Sequence, residues 1–304
     1  MKNLKEISSK NNPQTGNKII DSFNLAYCRS NTTLLLDNIK DKKVLVLGSG
    51  PSATEIDWVN GDWDVLVTTS YFYLVPEILE QKPVHVSLSN QIDLKDERLI
   101  NYLDDNPHCT IGIENPKFFS GEGRFKRVNA HKFDDSLLLL TEFHSKYKDR
   151  IIYYQVFIDD EAEMVGVASR VCYPVLMANP KSLSICGIDG YSKTPEKDPP
   201  NYFRYRNDKN VPPIIYSWLA GDAEPLLKRR LLKGEPIKDF MVNGAYQKTI
   251  GKLKDNYNKF KTDFEEFGER LYTVGNHHNI PIYNWGKGKP YNMVSSISEK
   301  YEKS

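Results

Sequence analysis

The sequence predicts an α/β protein built on a doubly wound, mostly parallel sheet. The first observation is a continuous apolar run, Lys43–Leu47, bounded by charged residues on one side and by Gly48 on the other. A strand that is buried on both faces of a sheet has this pattern. The second observation is that further runs of this kind alternate with helical patterns, which indicates βαβ units and parallel strands. Right-handed crossovers then favour a doubly wound sheet.

Each element follows from its periodicity. The candidate strands are residues 43–47, 64–69, 84–88, 109–113, 150–157, 182–186 and 280–285. Apolar residues at helical spacing predict helices over 18–38, 71–80, 96–104, 134–147, 166–178 and 245–272. Residues 1–40 are therefore expected to form an arm and a helix, and 41–191 a ligand-binding α/β domain.

The alternation of strand and helix patterns stops between residues 192 and 240. Ser192–Pro213 contains five prolines and the aromatic-basic string NYFRYR at 201–206, and a basic stretch follows at 228–233. Long loops inside compact domains are usually lids or binding segments. We therefore expect a lid over 192–240, with residues 241–304 supplying a long helix and a last strand that returns to the main domain.

Composition excludes several classes of protein. The 304 residues carry 41 Lys+Arg against 40 Asp+Glu, and 39% are hydrophobic, which is globular composition without the charge of a basic nucleic-acid binder. No stretch approaches the ~20 apolar residues of a membrane span. The polar N-terminus lacks the apolar core of a secretion signal, and the four cysteines are scattered. These features predict a cytoplasmic protein with free thiols.

The motif Gly48-Ser49-Gly50-Pro51-Ser52-Ala53 lies between a predicted strand and a helix and satisfies G-x-G-x-x-A. Its glycines would let the backbone approach a phosphate or ribose, and helix N–H groups favour an anion. An ordinary tight turn is the alternative. NAD is disfavoured because the next strand ends in Thr68 and Thr69 rather than in an acidic residue.

Other polar clusters give weaker signals. Asp62 and Asp64 form a D-x-D, but they lie where a strand begins, so a solvated turn is the favoured interpretation. No arrangement calls for a metal or another cofactor. A second glycine, Gly166, begins a helix, and Gly187-Ile-Asp-Gly-Tyr191 follows the strand 182–186. Asp189 and Tyr191 are therefore expected to face a ligand crevice at the sheet edge.

Taken in order, GSGPSATEID (48–57), DWDVLVTTSYFY (62–73), VHVSLSN (84–90) and CGIDGY (186–191) resemble the bacterial sialyltransferases of glycosyltransferase family 42. Related motility-associated glycosyltransferase-like proteins share G-x-G-P-S and G-x-D. The resemblance spans about residues 43–191. It implies a Rossmann-like sheet of the GT-A-like variant and a metal-independent enzyme that uses CMP-sialic acid.

The resemblance also implies roles for individual residues. Contacts to the nucleotide and its sugar are implied for Gly48, Ser49, Gly50, Pro51, Ser52, Asn90 and Gly166. Thr69 stands where the family carries an asparagine, and Gly187 lies in the G-I-D-x-Y motif. Phosphate contacts are implied for Tyr191 and Tyr202, and the basic residues Arg204 and Arg206 suit phosphate oxygens. The family's catalytic histidine has no equivalent here; Tyr246, His277 and His278 are the candidate bases.

These features favour a glycosyltransferase that moves a sugar from a nucleotide-activated donor to an acceptor hydroxyl. The expected donor is a CMP-activated nonulosonic acid, with a UDP- or GDP-sugar as the alternative. Two other functions remain open: a sugar transferase acting on modified DNA bases, with aromatic and basic residues of the lid contacting DNA, and a non-catalytic nucleotide-binding protein. The acceptor, a glycan or modified DNA, and assembly into a homo-oligomer are left open.

Overall fold

A computed structural model of the chain describes residues 15–114, 142–154, 167–194 and 251–299. The first range has gaps at 19, 22–32, 51, 54–55, 70–71, 89–93 and 95, and the last at 252 and 290–291. All structural statements below refer to these described residues. The predicted lid, 192–240, lies outside them from residue 195 onward.

The described residues form one sheet of eight parallel strands. The strands are β1 (Lys43–Leu47), β2 (Val65–Thr69), β3 (His85–Leu88), β4 (Thr110–Glu114), β5 (Ile151–Tyr154), β6 (Ser182–Cys186), β7 (Ile282–Asn284) and β8 (Ser298–Glu299). Their spatial order is β5-β4-β3-β2-β1-β6-β7-β8. The predicted doubly wound α/β fold is confirmed.

The strand order places a topological switch point between β1 and β6. From β1 the chain adds β2 to β5 on one side, and then returns to add β6, β7 and β8 on the other side. In open α/β sheets, ligands bind in the crevice outside the carboxyl ends of the strands at such a point. Gly48 follows the end of β1 and Gly187 follows the end of β6, so the two glycine motifs meet there.

Among the described residues, the helices with defined bounds are α1 (Thr33–Ile39), α2 (Pro76–Glu80), α3 (Glu97–Asp105), α4 (Val167–Met177) and α5 (Tyr257–His277). Short 3-10 helices cover Phe72–Leu74 and Lys148–Arg150, and residues 142–147 are also helical. None of the described helices, including the 21-residue α5, combines the length and apolar composition needed to span a membrane.

The core lies on both faces of the sheet because side chains alternate along each strand. On one face, Val44 and Val46 of β1 pack with buried residues of α1, α4 and α5. On the other, Leu45 and Leu47 pack with buried residues of α2 and α3. A strand enclosed on both sides is mostly apolar, and the buried residues 44–47 are all apolar, which is why this strand could be predicted from the sequence.

The observed bounds differ from the predicted ones mainly at strand and helix ends. Strands 43–47 and 182–186 have the predicted bounds, whereas the final strand is shortened from 280–285 to Ile282–Asn284. Helix α5 continues to His277, five residues beyond the predicted end at 272. Strand β8 was not predicted, because two residues carry no readable period and its hydrogen bonds come entirely from β7.

Candidate functional site

Two loops meet at the switch point and are hydrogen-bonded to each other through their backbones. The Gly48 N–H donates to the Cys186 carbonyl at 2.8 Å, and the Gly50 N–H donates to the Gly187 carbonyl at 2.7 Å. The Ala53 N–H closes a turn onto the Gly50 carbonyl at 3.0 Å. The first loop, residues 48–53, and the second loop, residues 187–191, therefore form one unit at the carboxyl edge of the sheet.

Glycine is required where these loops touch. A Cβ atom on Gly50 would lie 2.6 Å from the Asp189 Oδ2 atom and 2.7 Å from the Gly187 carbonyl oxygen. Gly187 has φ of +69°, in the left-handed region that L side chains rarely adopt, and a Cβ there would collide with the Gly48 carbonyl. The glycines of the two motifs thus bring the loops into contact. Their predicted contacts with a ligand remain predictions.

Asp189 is the polar centre of the site, and it does not face an open crevice as the sequence suggested. Its side chain is buried, with the residue 1% exposed. The Oδ2 atom accepts from the Ser52 N–H at 2.8 Å, and Oδ1 accepts from the Ser52 hydroxyl at 2.6 Å. The Ser52 hydroxyl in turn accepts from the Gly187 N–H at 2.8 Å. A buried carboxylate needs such donors, and here the protein itself supplies them, so Asp189 joins the two loops.

A third segment completes this unit. It follows β7, and we call its described residues, 285–289 and 292–294, the C-terminal turn. Its Asn292 Nδ2 atom donates to Asp189 Oδ1 at 3.0 Å, and the Met293 N–H donates to the Asp189 carbonyl at 2.6 Å. Buried Asn284 donates from Nδ2 to the Val294 carbonyl at 2.8 Å and to Asn292 Oδ1 at 3.1 Å. The site is therefore built from three segments distant in sequence.

This arrangement changes which groups of the first loop are available to a ligand. The N–H groups of Gly48, Gly50, Ser52 and Ala53 all donate within the protein. They hold the loop in shape and do not point at an anion in the manner of a phosphate-cradling loop. Ser49, at the end of β1, and Thr69, at the end of β2, are half-buried at the same edge of the sheet.

Tyr191 ends the second loop and packs toward α5. Its ring centre lies 4.8 Å from that of Phe260 and 6.0 Å from that of Phe264. The ring is half-buried against the core on the α5 side of the sheet. The predicted phosphate contact of its hydroxyl remains a prediction.

His277 does not join this site, contrary to the sequence-based assignment as a candidate base. It is exposed at the C-terminal end of α5, directly before β7. The start of a parallel strand lies at the opposite edge of the sheet from the crevice. His278 lies there too, and burial, with the neighbouring His277 contributing, lowers its pKa to about 4. The sequence shows that the two histidines are adjacent, but the length of α5 places them at this edge of the sheet.

The D-x-D motif has the structural role favoured by its place in the sequence. Asp62 accepts from Lys43 Nζ at 2.6 Å, and Asp64 accepts from the Lys43 N–H at 2.8 Å. Both contacts lie where β1 and β2 begin, away from the crevice. No group of three His, Cys, Asp or Glu side chains in the described part of the chain is arranged to hold a metal ion.

Seven predicted site residues lie outside the described residues: Pro51, Asn90, Gly166, Tyr202, Arg204, Arg206 and Tyr246. Conversely, sequence reasoning missed Asn284, Gly286 and Asn292. A Cβ on Gly286 would lie 2.9 Å from the Ser52 hydroxyl oxygen, so the C-terminal turn approaches the first loop closely. An asparagine at the carboxyl end of a predicted strand was the available signal for Asn284.

Comparison with solved structures finds sialyltransferases. The sialyltransferase CstII from Campylobacter jejuni, in complex with the substrate analogue CMP-3FNeuAc, is 16% identical, with a TM-score of 0.38, over 85% of this chain and 86% of that one. A CstII variant in complex with CMP is 14% identical, with a TM-score of 0.41 and the same coverage. A further variant of this α-2,3/8-sialyltransferase is 17% identical, with a TM-score of 0.27, over 62% of this chain and 78% of that one.

A scan against protein-family models and a search of curated proteins give no match. The structural comparison thus finds proteins of the kind that the sequence motifs resemble, at a similarity too low to establish an activity. The fold is a doubly wound α/β sheet whose two glycine loops meet at the switch point between β1 and β6.

Proposed function

We propose that the protein is a glycosyltransferase that binds a nucleotide-activated sugar at the carboxyl ends of β1 and β6. The observation that carries the proposal is the joining of the 48–53 and 187–191 loops at the switch point through Gly48, Gly50, Ser52 and Asp189. Doubly wound sheets bind nucleotides at this place. The motif order that resembles family 42 sialyltransferases runs through the same two loops.

The hydrogen bonds that join the two loops support a binding role. A ligand that meets a preformed surface does not have to supply the free energy of ordering it. Ser52 and Asp189 are buried, so they act behind the surface, and the groups offered to a ligand are those nearer the edge, including Ser49 and Thr69. We assign nucleotide contacts to these two residues and to Asn90.

The donor proposed is a CMP-activated nonulosonic acid, taken without a metal ion. The resemblance implies that tyrosine hydroxyls stabilise the departing phosphate, and Tyr191 and Tyr202 are the candidates. Neutral donors aimed at a developing negative charge stabilise it electrostatically. Arg204 and Arg206 would add bidentate contacts to the phosphate oxygens.

The acceptor hydroxyl needs a general base, since it is a poor nucleophile while it keeps its proton. The position of His277 at the far edge of the sheet removes it from this role. Tyr246 is the remaining candidate base from the sequence, and it lies outside the described residues. The acceptor is proposed to be a glycan hydroxyl.

A thermal-shift screen with CMP, UDP, GDP, ADP and NAD, with and without Mn²⁺, tests the proposal. A nucleotide at 100 times its dissociation constant adds ~2.7 kcal/mol of apparent stability. Stabilisation by CMP in the absence of metal would support the proposed donor. A response to UDP or GDP alone would keep the transferase and change the donor, and the lack of any response would contradict a nucleotide-binding crevice.

A matched pair of glycine variants assigns any response to the crevice. In Gly50→Ala the new Cβ would lie 2.6 Å from Asp189 Oδ2, whereas in Gly251→Ala it meets nothing within 4 Å. The first variant should lose the nucleotide response and the second should keep it. If both keep it, the nucleotide binds elsewhere.

Activity separates the proposal from its alternatives. Release of free sugar from the CMP donor on incubation with the protein would show catalysis, and binding without release would favour a non-catalytic nucleotide-binding protein. Transfer to modified DNA, with affinity that falls steeply with salt as phosphate contacts release counterions, would instead favour a DNA-modifying transferase.

A further inference from the structure

The C-terminal turn contacts the carboxylate that holds the crevice loops together. Asn292 Nδ2 donates to Asp189 Oδ1 at 3.0 Å, and the same Oδ1 accepts from the Ser52 hydroxyl at 2.6 Å. The Asp189 carboxylate therefore connects Asn292 with Ser52 of the first loop. The contact joins residues separated by 103 positions in the chain.

Asn292 is itself held in one orientation. Its Oδ1 atom accepts from the Val294 N–H at 3.0 Å and from Asn284 Nδ2 at 3.1 Å. Its Nδ2 atom donates to Asp189 Oδ1 at 3.0 Å and to Asn284 Oδ1 at 3.3 Å. Asn284 is 1% exposed, and its own Oδ1 accepts from the Gly286 N–H at 3.0 Å. Two amides thus fix each other, and the donor presented to Asp189 cannot be exchanged for an acceptor by a simple flip without losing these bonds.

We propose that Asn292, oriented by Asn284, is a positioning residue for the nucleotide site: through Asp189 it sets the conformation of the 48–53 loop. This inference rests on the proposed function for its binding consequence. Its structural half, the coupling of the C-terminal turn to the loop, is independent of any ligand. The proposed effect of Asn292 on the ligand is indirect, because it acts through the contact between Asn292 and Asp189.

Asn292→Asp is the informative variant. It keeps the size and the Oδ1 acceptor, but it replaces the donor facing Asp189 with a second carboxylate oxygen. At pH 7 two carboxylates at hydrogen-bond distance repel each other, and one is expected to titrate at a raised pKa. Near pH 5 a shared proton would restore a hydrogen bond between them. The control is Asn276→Asp, which makes the same chemical change at an exposed position of α5.

Hydrogen exchange reads the coupling without a ligand. In Asn292→Asp at pH 7 the Ser52 and Gly187 amides should exchange at least about tenfold faster than in the wild type, the change expected when a hydrogen bond to a charged group is lost. At pH 5 the difference from the wild type at the same pH should shrink. The Asn276→Asp protein should match the wild type throughout. Unchanged exchange of both amides in Asn292→Asp would overturn the inference.

Nucleotide titration reads the consequence for binding. With CMP as the probe, Asn292→Asp should bind at least about tenfold more weakly than the wild type at pH 7 and recover within about threefold at pH 5. In turnover the donor KM should rise more than kcat falls. Faster exchange with unchanged CMP affinity would overturn the positioning role, whereas a wild type that binds no nucleotide would contradict the proposed function and leave the coupling intact.

Asn292→Ala guards against misfolding of the charged variant. It removes the donor and adds no charge, so it should loosen the same two amides and weaken CMP binding at both pH values. Recovery at pH 5 in Asn292→Asp and its lack in Asn292→Ala would identify the carboxylate contact as the cause. Equal behaviour of the two variants at both pH values would count against it.

Discussion

Replacing Ser52 with alanine is expected to destabilise the protein and to loosen both crevice loops. The Ser52 hydroxyl donates to Asp189 Oδ1 at 2.6 Å and accepts from the Gly187 N–H at 2.8 Å. Ser52 and both partner residues are buried, with Ser52 2% exposed, so water cannot easily replace the lost contacts. The alanine variant thus leaves a buried N–H without its acceptor and a carboxylate with one donor fewer.

The magnitude follows from those two losses. A buried donor left unsatisfied costs about 1–3 kcal/mol, and a hydrogen bond to a charged group contributes about 1.5–3 kcal/mol. Asp189 keeps its bonds from the Ser52 N–H and Asn292, so we expect a total loss of about 2–4 kcal/mol in the free energy of unfolding. A domain of ordinary stability, about 5–15 kcal/mol, still folds after such a loss.

Urea denaturation followed by circular dichroism measures the change. Ser192→Ala is the control, because its hydroxyl also accepts a backbone N–H, that of Thr194 at 3.0 Å, but in an exposed turn. The control should lie within about 0.5 kcal/mol of the wild type. A Ser52→Ala loss as small as that of the control would refute the view that the Asp189 network joins the loops.

Three further predictions concern Gly187, the buried His85, and the contacts of Arg150 with backbone carbonyls at the end of α3. Gly187→Ala should lower the free energy of unfolding by at least about 2 kcal/mol and abolish nucleotide stabilisation, because φ is +69° and the new Cβ meets the Gly48 carbonyl. The control, Gly288→Ala, has φ of +84° with nothing within 4 Å of the new Cβ, and should lower it by only about 1 kcal/mol. Equal losses in the two variants would contradict this prediction. Burial lowers the pKa of His85 to about 3 from 6.5, so the unfolded chain takes up a proton first as the pH falls, and stability is lost progressively from about pH 6.5 to pH 3. Between pH 8 and pH 5, His85 lowers the free energy of unfolding by about 2 kcal/mol. In urea unfolding, the free energy of unfolding of His85→Leu should therefore depend less on pH over this range. Arg150→Lys should lower the free energy of unfolding by about 2 kcal/mol and leave nucleotide binding unchanged. The Arg150 guanidinium donates to the Leu103 and Asn106 carbonyls at 2.5 and 2.7 Å, and a lysine cannot bridge both carbonyls in the same way. An unchanged urea midpoint would refute this prediction.

The buried strands were predictable because their sequence signal is local. A strand enclosed on both faces is mostly apolar, and Lys43–Leu47 and Ser182–Cys186, whose inner residues are apolar except for the small Ser184, were placed with the bounds that the structure shows. The glycine motifs were located for the same reason: a sharp turn after a buried strand needs residues without a Cβ. From these local signals both glycine loops could be expected at the carboxyl edge of the sheet, but the order of the strands could not.

The partners of those motifs were not predictable in the same way. Asp189 was expected to face a ligand, yet its carboxylate is occupied by Ser52 and Asn292. His277 was a candidate base, yet it stands at the opposite edge of the sheet. Nothing in the local pattern around either residue says which distant segment it will meet.

By itself, the sequence determined the α/β class, the two buried central strands and the place of the glycine loops, because burial and turn geometry act on neighbouring residues. The tertiary structure alone decided that the C-terminal turn reaches Asp189 and that the loop amides of Gly48, Gly50 and Ser52 are satisfied within the protein. The physical reason is the order of the strands. By adding β6 beside β1 and β7 beside β6, the sheet brings together polar groups more than a hundred residues apart, and their hydrogen bonds exist only once that sheet has formed.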